Sequence, residues 1–370
     1  MIVILTQCFP SRVGGVESLI SNLALGLSKK EKIIVFADTY DIFLDEVYDK
    51  KYQNQILVKR IGGIKFFRKK NKLKQIKLFI QSNNIKLIIA DSWKSFELGI
   101  DFINNKKIPS ICLAHGNELL SKNFNKQKRI INTLQKTSLI VANSIYTKNL
   151  AQDLKLKNTE VDYIYPGAED FRHISTTKVP NIKGSPILLT LARIEKRKGH
   201  SLVIESVKKL IYRYPNINYI IAGDGPEVNN LIRLVDINKI TKNVTFVGSI
   251  NDGQKKYIFQ KTDLMIMPTS DESEKNSIEG FGIAYIEAAF FCIPSIASNI
   301  GGTSEAVLNN STGIVLKKNE SLYDVILDLL ENKDKRTKLG NTAQERAVRY
   351  FQWDKIAENH LSIYKKYNII

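Results

Sequence analysis

Short apolar runs alternate along this chain with longer segments in which apolar positions recur at helical spacing. Ile2–Leu5, Ile33–Ala37, Leu87–Ala90, Ser110–Ala114, Leu139–Ala142 and Val161–Tyr165 predict strands in the first half. Several are continuously apolar, as strands buried on both faces are. Amphipathic stretches between them, such as Val16–Ser28 and Lys126–Lys136, predict helices. The rhythm restarts with Ile187–Ala192, Tyr219–Ala222, Val244–Val247, Leu264–Met267, Ser295–Ala297 and Gly313–Leu316. Alternation of this kind builds parallel α/β sheets. Residues 174–185 form a polar break, so two doubly wound, Rossmann-like domains are expected, at 1–174 and 182–350. Ser321–Glu331 and Lys333–Tyr350 predict helices that finish the second domain. Phe351-Gln-Trp353 interrupts them, and Asp354–Tyr367 predicts a last amphipathic helix.

A chain of 370 residues with 43% hydrophobic content can fill two cores. It has no apolar run of about 18 residues that would cross a bilayer. The first residues lead directly into a strand, without the basic and longer apolar regions of a leader. Cys8, Cys112 and Cys292 are odd in number and far apart, and read as reduced thiols of a cytoplasmic protein. Charge changes this picture more. The net charge is +18, of which +12 falls on residues 1–175 and +6 on the rest. The densest part is Lys65-Phe-Phe-Arg-Lys-Lys-Asn-Lys-Leu-Lys-Gln-Ile-Lys77. Such a segment suits an anionic membrane surface, with the phenylalanines entering the interface. A solvated helix face in a lysine-rich protein reads the same way. Nucleic acid is the weakest partner, because no recognition helix or aromatic stacking motif accompanies the charge.

The candidate chemistry centres on Glu279-Gly-Phe-Gly-Ile-Ala-Tyr-Ile-Glu287. A helix over residues 280–291 would separate the two carboxylates by about 12 Å. That is wide for a glycosidase pair, which spans roughly 5–9.5 Å, and better suited to gripping two ends of an elongated ligand. Glycines there let backbone approach a ligand, and a helix start offers N–H groups to an anion. Arg193-Ile-Glu-Lys-Arg-Lys-Gly199 places Arg193 at a strand end and Lys198 before a helix. Gly14 and Gly15 sit between the first strand and its helix, and His115-Gly-Asn-Glu118 ends another strand. No His/Cys/Asp set has metal-ligand spacing. The G-x-G-x-x-G fingerprint of nicotinamide enzymes is missing, although Asp38 ends the second strand.

Taken in order over nearly the whole chain, these elements resemble retaining glycosyltransferases of family 4. The resemblance implies the GT-B fold, two such domains facing a central cleft, with the acceptor mainly on the first and the donor on the second. The last helix, within 354–370, would return to the first domain. Arg193 and Lys198 would hold the donor diphosphate and Glu279 the hydroxyls of the donor sugar. His115 would lie near sugar and acceptor; these four are the catalytic candidates. Gly14 and Gly15 would approach the diphosphate, Phe281 and Gly282 would offer amides, and Glu287 would take the ribose hydroxyls. Ile250 would lie along the base, with Asp252 and Lys255 matching positions that read guanine in some mannosyltransferases. As a helix cap, Asp252 has an equally local role open to it.

Similarity in the loop Met267–Gly282 and in Ser298–Val307 is to phosphatidylinositol mannosyltransferases. It implies a hexosyltransferase favouring GDP-mannose over a UDP-sugar, without metal or separate cofactor. A glycolipid or polysaccharide-linked acceptor, as in lipopolysaccharide or glycolipid synthesis, is implied too. So is a cytoplasmic protein lying peripherally on the inner membrane face. The acidic Asp271-Glu-Ser-Glu274 departs from that pattern. A non-catalytic binder of nucleotides or carbohydrates on the same fold is the alternative.

Overall fold

The structure is a computed structural model that describes residues 1–180 and 182–370; Asn181, inside the expected polar break, lies outside the described residues. Two compact units are formed. One comprises Met1–Gly167 with Trp353–Ile370, the other Ala168–Gln352.

The first unit holds a parallel seven-stranded sheet ordered β3-β2-β1-β4-β5-β6-β7. Its strands are β1 Ile2–Leu5, β2 Ile33–Asp38, β3 Ile56–Ile61, β4 Leu87–Ala90, β5 Ser110–Ala114, β6 Leu139–Ala142 and β7 Glu160–Tyr163. The helices are α1 Gly15–Ser28, α2 Ile42–Tyr52, α3 Lys65–Gln81, α4 Trp93–Phe96, α5 Ile100–Asn105, α6 Phe124–Leu134 and α7 Ile145–Gln152. β1, β4 and β6 are buried throughout because helices cover both sheet faces. β3 is absent from the strands expected above. It is an edge strand whose Lys59 and Arg60 interrupt the apolar run, as edges tolerate.

The second unit holds a parallel six-stranded sheet ordered β10-β9-β8-β11-β12-β13. Its strands are β8 Ile187–Leu191, β9 Asn218–Ala222, β10 Val244–Gly248, β11 Leu264–Met267, β12 Ser295–Ser298 and β13 Gly313–Leu316. Helices α8 His200–Leu210, α9 Val228–Ile237, α10 Asp252–Phe259, α11 Ile283–Ala289, α12 Thr303–Ala306, α13 Leu322–Glu331 and α14 Lys333–Tyr350 cover it. A final helix, α15 Trp353–Lys366, belongs to the first unit, where Ile356 and Tyr364 enter the core beside Leu23 and Leu27 of α1.

The unit boundary differs from the expected residue 174. Residues 168–174 pack into the second unit. The Ala168 amide donates to the Phe351 carbonyl at 2.9 Å, and Phe171 stacks on Phe259. Lys256 Nζ donates to the carbonyls of Arg172 and Ile174. At the far end the expected limit of 350 moves to Gln352, because Phe351 is buried against Phe281, 5.8 Å between ring centres. Apolar side chains, not the polarity of the linker, decide where each unit stops.

Each sheet reverses its strand order once, between β1 and β4 and between β8 and β11. Open parallel sheets bind ligands at the carboxyl ends of strands beside such a reversal.

Candidate active site

In the second unit the reversal brings together the segment after β8 and the loop after β11. Lys198 and Arg197 both donate to one oxygen of Glu279, Arg197 at 2.9 Å. All three side chains are largely enclosed. Burial would raise the Glu279 carboxyl, but the two cations outweigh it and hold it below the ordinary glutamate range. Lys198 Nζ also lies 3.6 Å from the Met267 sulfur, at the end of β11. Arg197 is anchored a second time, to Glu195 at 3.2 Å.

Arg193 stands apart from this cluster. Its side chain is 73% exposed and pairs with Glu195 at 3.2 Å. Of the two cations expected at the diphosphate, Lys198 therefore points inward and Arg193 lies at the surface, while Arg197 takes the inward position beside Lys198. Arg197 was missed because it sits inside Lys196-Arg-Lys198, where any residue reads as a solvated cation.

Backbone geometry explains the Lys-Gly step. Gly199 adopts φ +74°, and a Cβ there would lie 2.2 Å from the Pro268 carbonyl oxygen. Only glycine lets the chain turn into α8 directly under that carbonyl. Gly199→Ala is expected to lower stability by about 3 kcal/mol through combined backbone strain and overpacking. A thermal midpoint equal to wild type would contradict this. The segment after β12 positions Glu279 itself, since the Gly302 amide donates to the Glu279 carbonyl at 2.9 Å.

Helix α11 is shorter than the expected 280–291. Gly282, at φ +100°, caps it, so Glu279 lies in the preceding loop and the 12 Å helical separation does not apply. Phe281 is buried against Phe351, which leaves its backbone rather than its ring for any ligand. Glu287 lies on α11, 3.4 Å from Lys255 Nζ. Lys255 is also 3.8 Å from Asp252 and sits over the Phe171 ring at 4.6 Å. Partial burial, aided by the charges of Asp252 and Glu287, raises the carboxyl of nearby Glu169. Asp252 does not cap α10. Asn251 does, in a reciprocal capping box with Gln254, and the Asp252 side chain is left 67% exposed. Ile250, half-buried, precedes this box at the end of the β10 connection.

In the first unit, the reversal is tied by Asp91, which follows β4 and which the sequence reading missed. Its carboxylate accepts from Thr6 Oγ1 at 2.8 Å and from the Gln7 amide at 2.9 Å. Its carbonyl lies 2.7 Å from His115 Nε2. A carbonyl only accepts, so Nε2 carries the proton and a neutral ring keeps Nδ1 as its acceptor. The His115 amide donates to Glu118 at 2.6 Å, which fixes the loop after β5. Gly14 and Gly15 are exposed at the start of α1. Glu17 folds back over Gly14 to meet Arg12 at 2.9 Å, so that a Cβ on Gly14 would lie 2.3 Å from its carboxylate. Among the described residues, no group of three His, Cys, Asp or Glu could hold a metal ion.

Residues 13–170 match the family described as Glycosyltransferase Family 4, and residues 174–346 match Glycosyl transferases group 1. A GDP-mannose-dependent alpha-(1-6)-phosphatidylinositol monomannoside mannosyltransferase of Mycobacterium tuberculosis is 24% identical over 60% of this chain. The match spans 60% of that relative's length. A GDP-mannose-dependent monoacylated alpha-(1-6)-phosphatidylinositol monomannoside mannosyltransferase of Corynebacterium glutamicum is 20% identical over 97% of this chain and 96% of its own. In fold, the chain is similar to Anabaena HepE, solved with UDP and glucose. The TM-score is 0.79 at 18% identity, covering 99% of this chain and 100% of that one. With a family match over both units, the chain belongs to glycosyltransferase family 4, and its fold is GT-B.

Proposed function

We propose that this hexosyltransferase moves mannose, with retention, from GDP-mannose to an acceptor linked to a membrane lipid or polysaccharide. The observation that carries the reading is the enclosed Glu279–Lys198–Arg197 cluster at the β8/β11 reversal. Departure of a nucleoside diphosphate from a sugar builds negative charge, and fixed cations in an enclosed site stabilise it. Lys198 supplies that charge to the diphosphate, joined by the exposed Arg193. Arg197 stays on Glu279 and keeps its carboxylate ionised and oriented toward the sugar hydroxyls. Glu287 takes the ribose. His115, with Nδ1 as acceptor, serves the acceptor hydroxyl. Gly14, Gly15 and the amides of Phe281 and Gly282 line the diphosphate. No metal takes part.

Two points support guanine over uracil. The named relatives use GDP-mannose. The exposed Asp252 carboxylate also suits guanine, which presents two adjacent N–H donors, whereas uracil offers one between two carbonyls. Lys255 stands beside it for the guanine oxygen. Ile250 packs along the base. The glycolipid acceptors in the relatives' names support a membrane-held acceptor and a protein working at the inner face of the membrane.

A thermal-shift panel of GDP, UDP, ADP and their sugars tests the donor. Ligand at 100 times its dissociation constant stabilises by about 2.7 kcal/mol. GDP-mannose is expected to give the largest shift, and to lose most of it in Asp252→Ala. A larger shift with any UDP-sugar would end the mannosyl reading while leaving glycosyl transfer intact.

A further inference from the structure

We infer that Arg60 and Asp45 are positioning residues for the glycine turn Gly14-Gly15, acting as a charged clamp on Pro10 and Ser11. The inference rests on the diphosphate role proposed above for that turn, and it names the side chains that keep the turn in place.

The turn belongs to the segment that leaves β1 and enters α1. The base of this segment is held and its tip is exposed. Phe9 is buried, its ring centre 5.6 Å from that of Tyr48 on α2 and 5.2 Å from the Arg60 guanidinium. The Pro10 carbonyl accepts from Arg60 Nη2. The Ser11 amide and hydroxyl both donate to one oxygen of Asp45, at 3.2 and 2.8 Å. Arg12, Val13, Gly14 and Gly15, which follow, are exposed. Among the described residues, 9–13 make no backbone–backbone hydrogen bond. Side chains of α2 and β3 therefore do what a sheet ladder or helix does elsewhere: they fix where the backbone runs.

The clamp is itself held at several points. The second Asp45 oxygen accepts from the Tyr40 amide at 2.9 Å, just beyond β2. Arg60 Nη1 lies 3.1 Å from Asp45, and the Nε and Nη2 groups fork onto Asp49 at 3.0 and 2.8 Å. Two parallel bonds from one guanidinium fix its direction as well as its place. Arg60 lies on β3 opposite Ala37 of β2, so the clamp spans the carboxyl ends of β1, β2 and β3. Both charges are largely enclosed, Asp45 almost completely. Packed apolar side chains often stabilise such a place as well as an ion pair does. They cannot hold the Pro10 carbonyl and the Ser11 hydroxyl in one direction. That direction matters at the turn, because a shift of about 1 Å in groups that face a reacting centre lowers turnover about a hundredfold.

Ser11→Ala removes one bond of the clamp with little risk to folding. Its kcat for donor hydrolysis, with the sugar nucleotide that stabilises wild type most, should fall about fivefold. Asp45→Asn loses the ion pair with Arg60 and presents a donor to the Tyr40 amide, and its kcat should fall about tenfold to a hundredfold. In both variants the donor KM should change less than kcat, and Ser11→Thr, which keeps the hydroxyl, should restore wild-type turnover. Amide hydrogen exchange without donor should quicken across residues 9–15 in Ser11→Ala and Asp45→Asn. Asp162→Asn is the structural control. It weakens a comparably enclosed pairing on β7, with Lys366 at 2.9 Å and Lys148 at 3.5 Å, and should lower the thermal midpoint while leaving kcat and this exchange at wild-type values. Wild-type kcat in folded Ser11→Ala and Asp45→Asn, an equal loss in Asp162→Asn, or failure of Ser11→Thr to restore turnover would overturn the clamp's role. A wild type that turns over none of the GDP-, UDP- and ADP-sugars would refute the enzyme reading instead, and the exchange comparison would still decide whether the clamp holds the turn.

Discussion

Lys198→Met should lower donor turnover between about a hundredfold and a thousandfold, the cost of removing one preorganised donor at a site of developing charge. Methionine keeps most of the volume of the lysine stem, so the loss reports charge rather than a cavity. Glu279 would retain Arg197 at 2.9 Å and stay oriented. Substrate binding should therefore weaken less than kcat falls, since the missing ammonium acts mainly on the departing diphosphate. Breaking an enclosed ion pair also costs stability, by up to about 3–5 kcal/mol when a charge is left without a partner. The second cation on Glu279 should keep the cost well below that. Arg197→Met should show the complementary pattern, with a larger change in sugar recognition and a smaller one in kcat. A folded Lys198→Met protein that turns over donor at the wild-type rate would remove the diphosphate role.

Acidification should destabilise both units from about pH 6.5 downward, well before carboxylates titrate. Burial, with Lys198 nearby, pulls His200 down to about 4. Burial alone takes His360 to about 3, its Nδ1 2.8 Å from the Tyr364 hydroxyl. For each, the unfolded chain takes up a proton as pH falls through 6.5, while the folded chain does not until pH reaches about 4 or 3. The unfolded state then binds more protons, so stability falls with falling pH across that window, by about 1.4 kcal/mol per unit for each histidine. By pH 4 this amounts to roughly 3 kcal/mol in each unit. Glu279 acts in a different window: its depressed carboxyl stabilises above the ordinary range near 4.5, and that contribution disappears only as pH drops through its lowered value. Thermal midpoints recorded from pH 7 to 4 separate the two. His200→Gln and His360→Gln should each flatten the upper part of the profile. A wild-type midpoint constant between pH 6.5 and 5 would mean that neither histidine is held neutral as its burial implies.

Much of the architecture was legible from sequence because continuously apolar strands have few other places to go. All six strands of the second sheet lie where apolar runs predicted them, two with the same ends and four with one end shifted by a single residue. Polar residues directly after apolar runs mark the carboxyl ends of strands, which is how Arg193 and His115 became candidates, whereas Glu279 was singled out by its spacing to Glu287. β3 was not found, because an edge strand with Lys59 and Arg60 lacks a continuous apolar signature. Asp91 was passed over as one acid after one strand, although it joins β1, β4 and the His115 loop.

The sequence by itself determined that there are two parallel α/β sheets, which residues end their strands, and that the first half is strongly cationic. Tertiary structure alone decided which charges do what. It turned Arg197 and Lys198 inward onto Glu279 and Arg193 outward, buried Lys72 against Asp38, and left Lys65, Lys70 and Lys74 to solvent. Hydrophobic periodicity is a local property, repeated over a few residues. The partner of a charge is not: Lys198 and Glu279 lie 81 residues apart and meet only because β8 and β11 are neighbours.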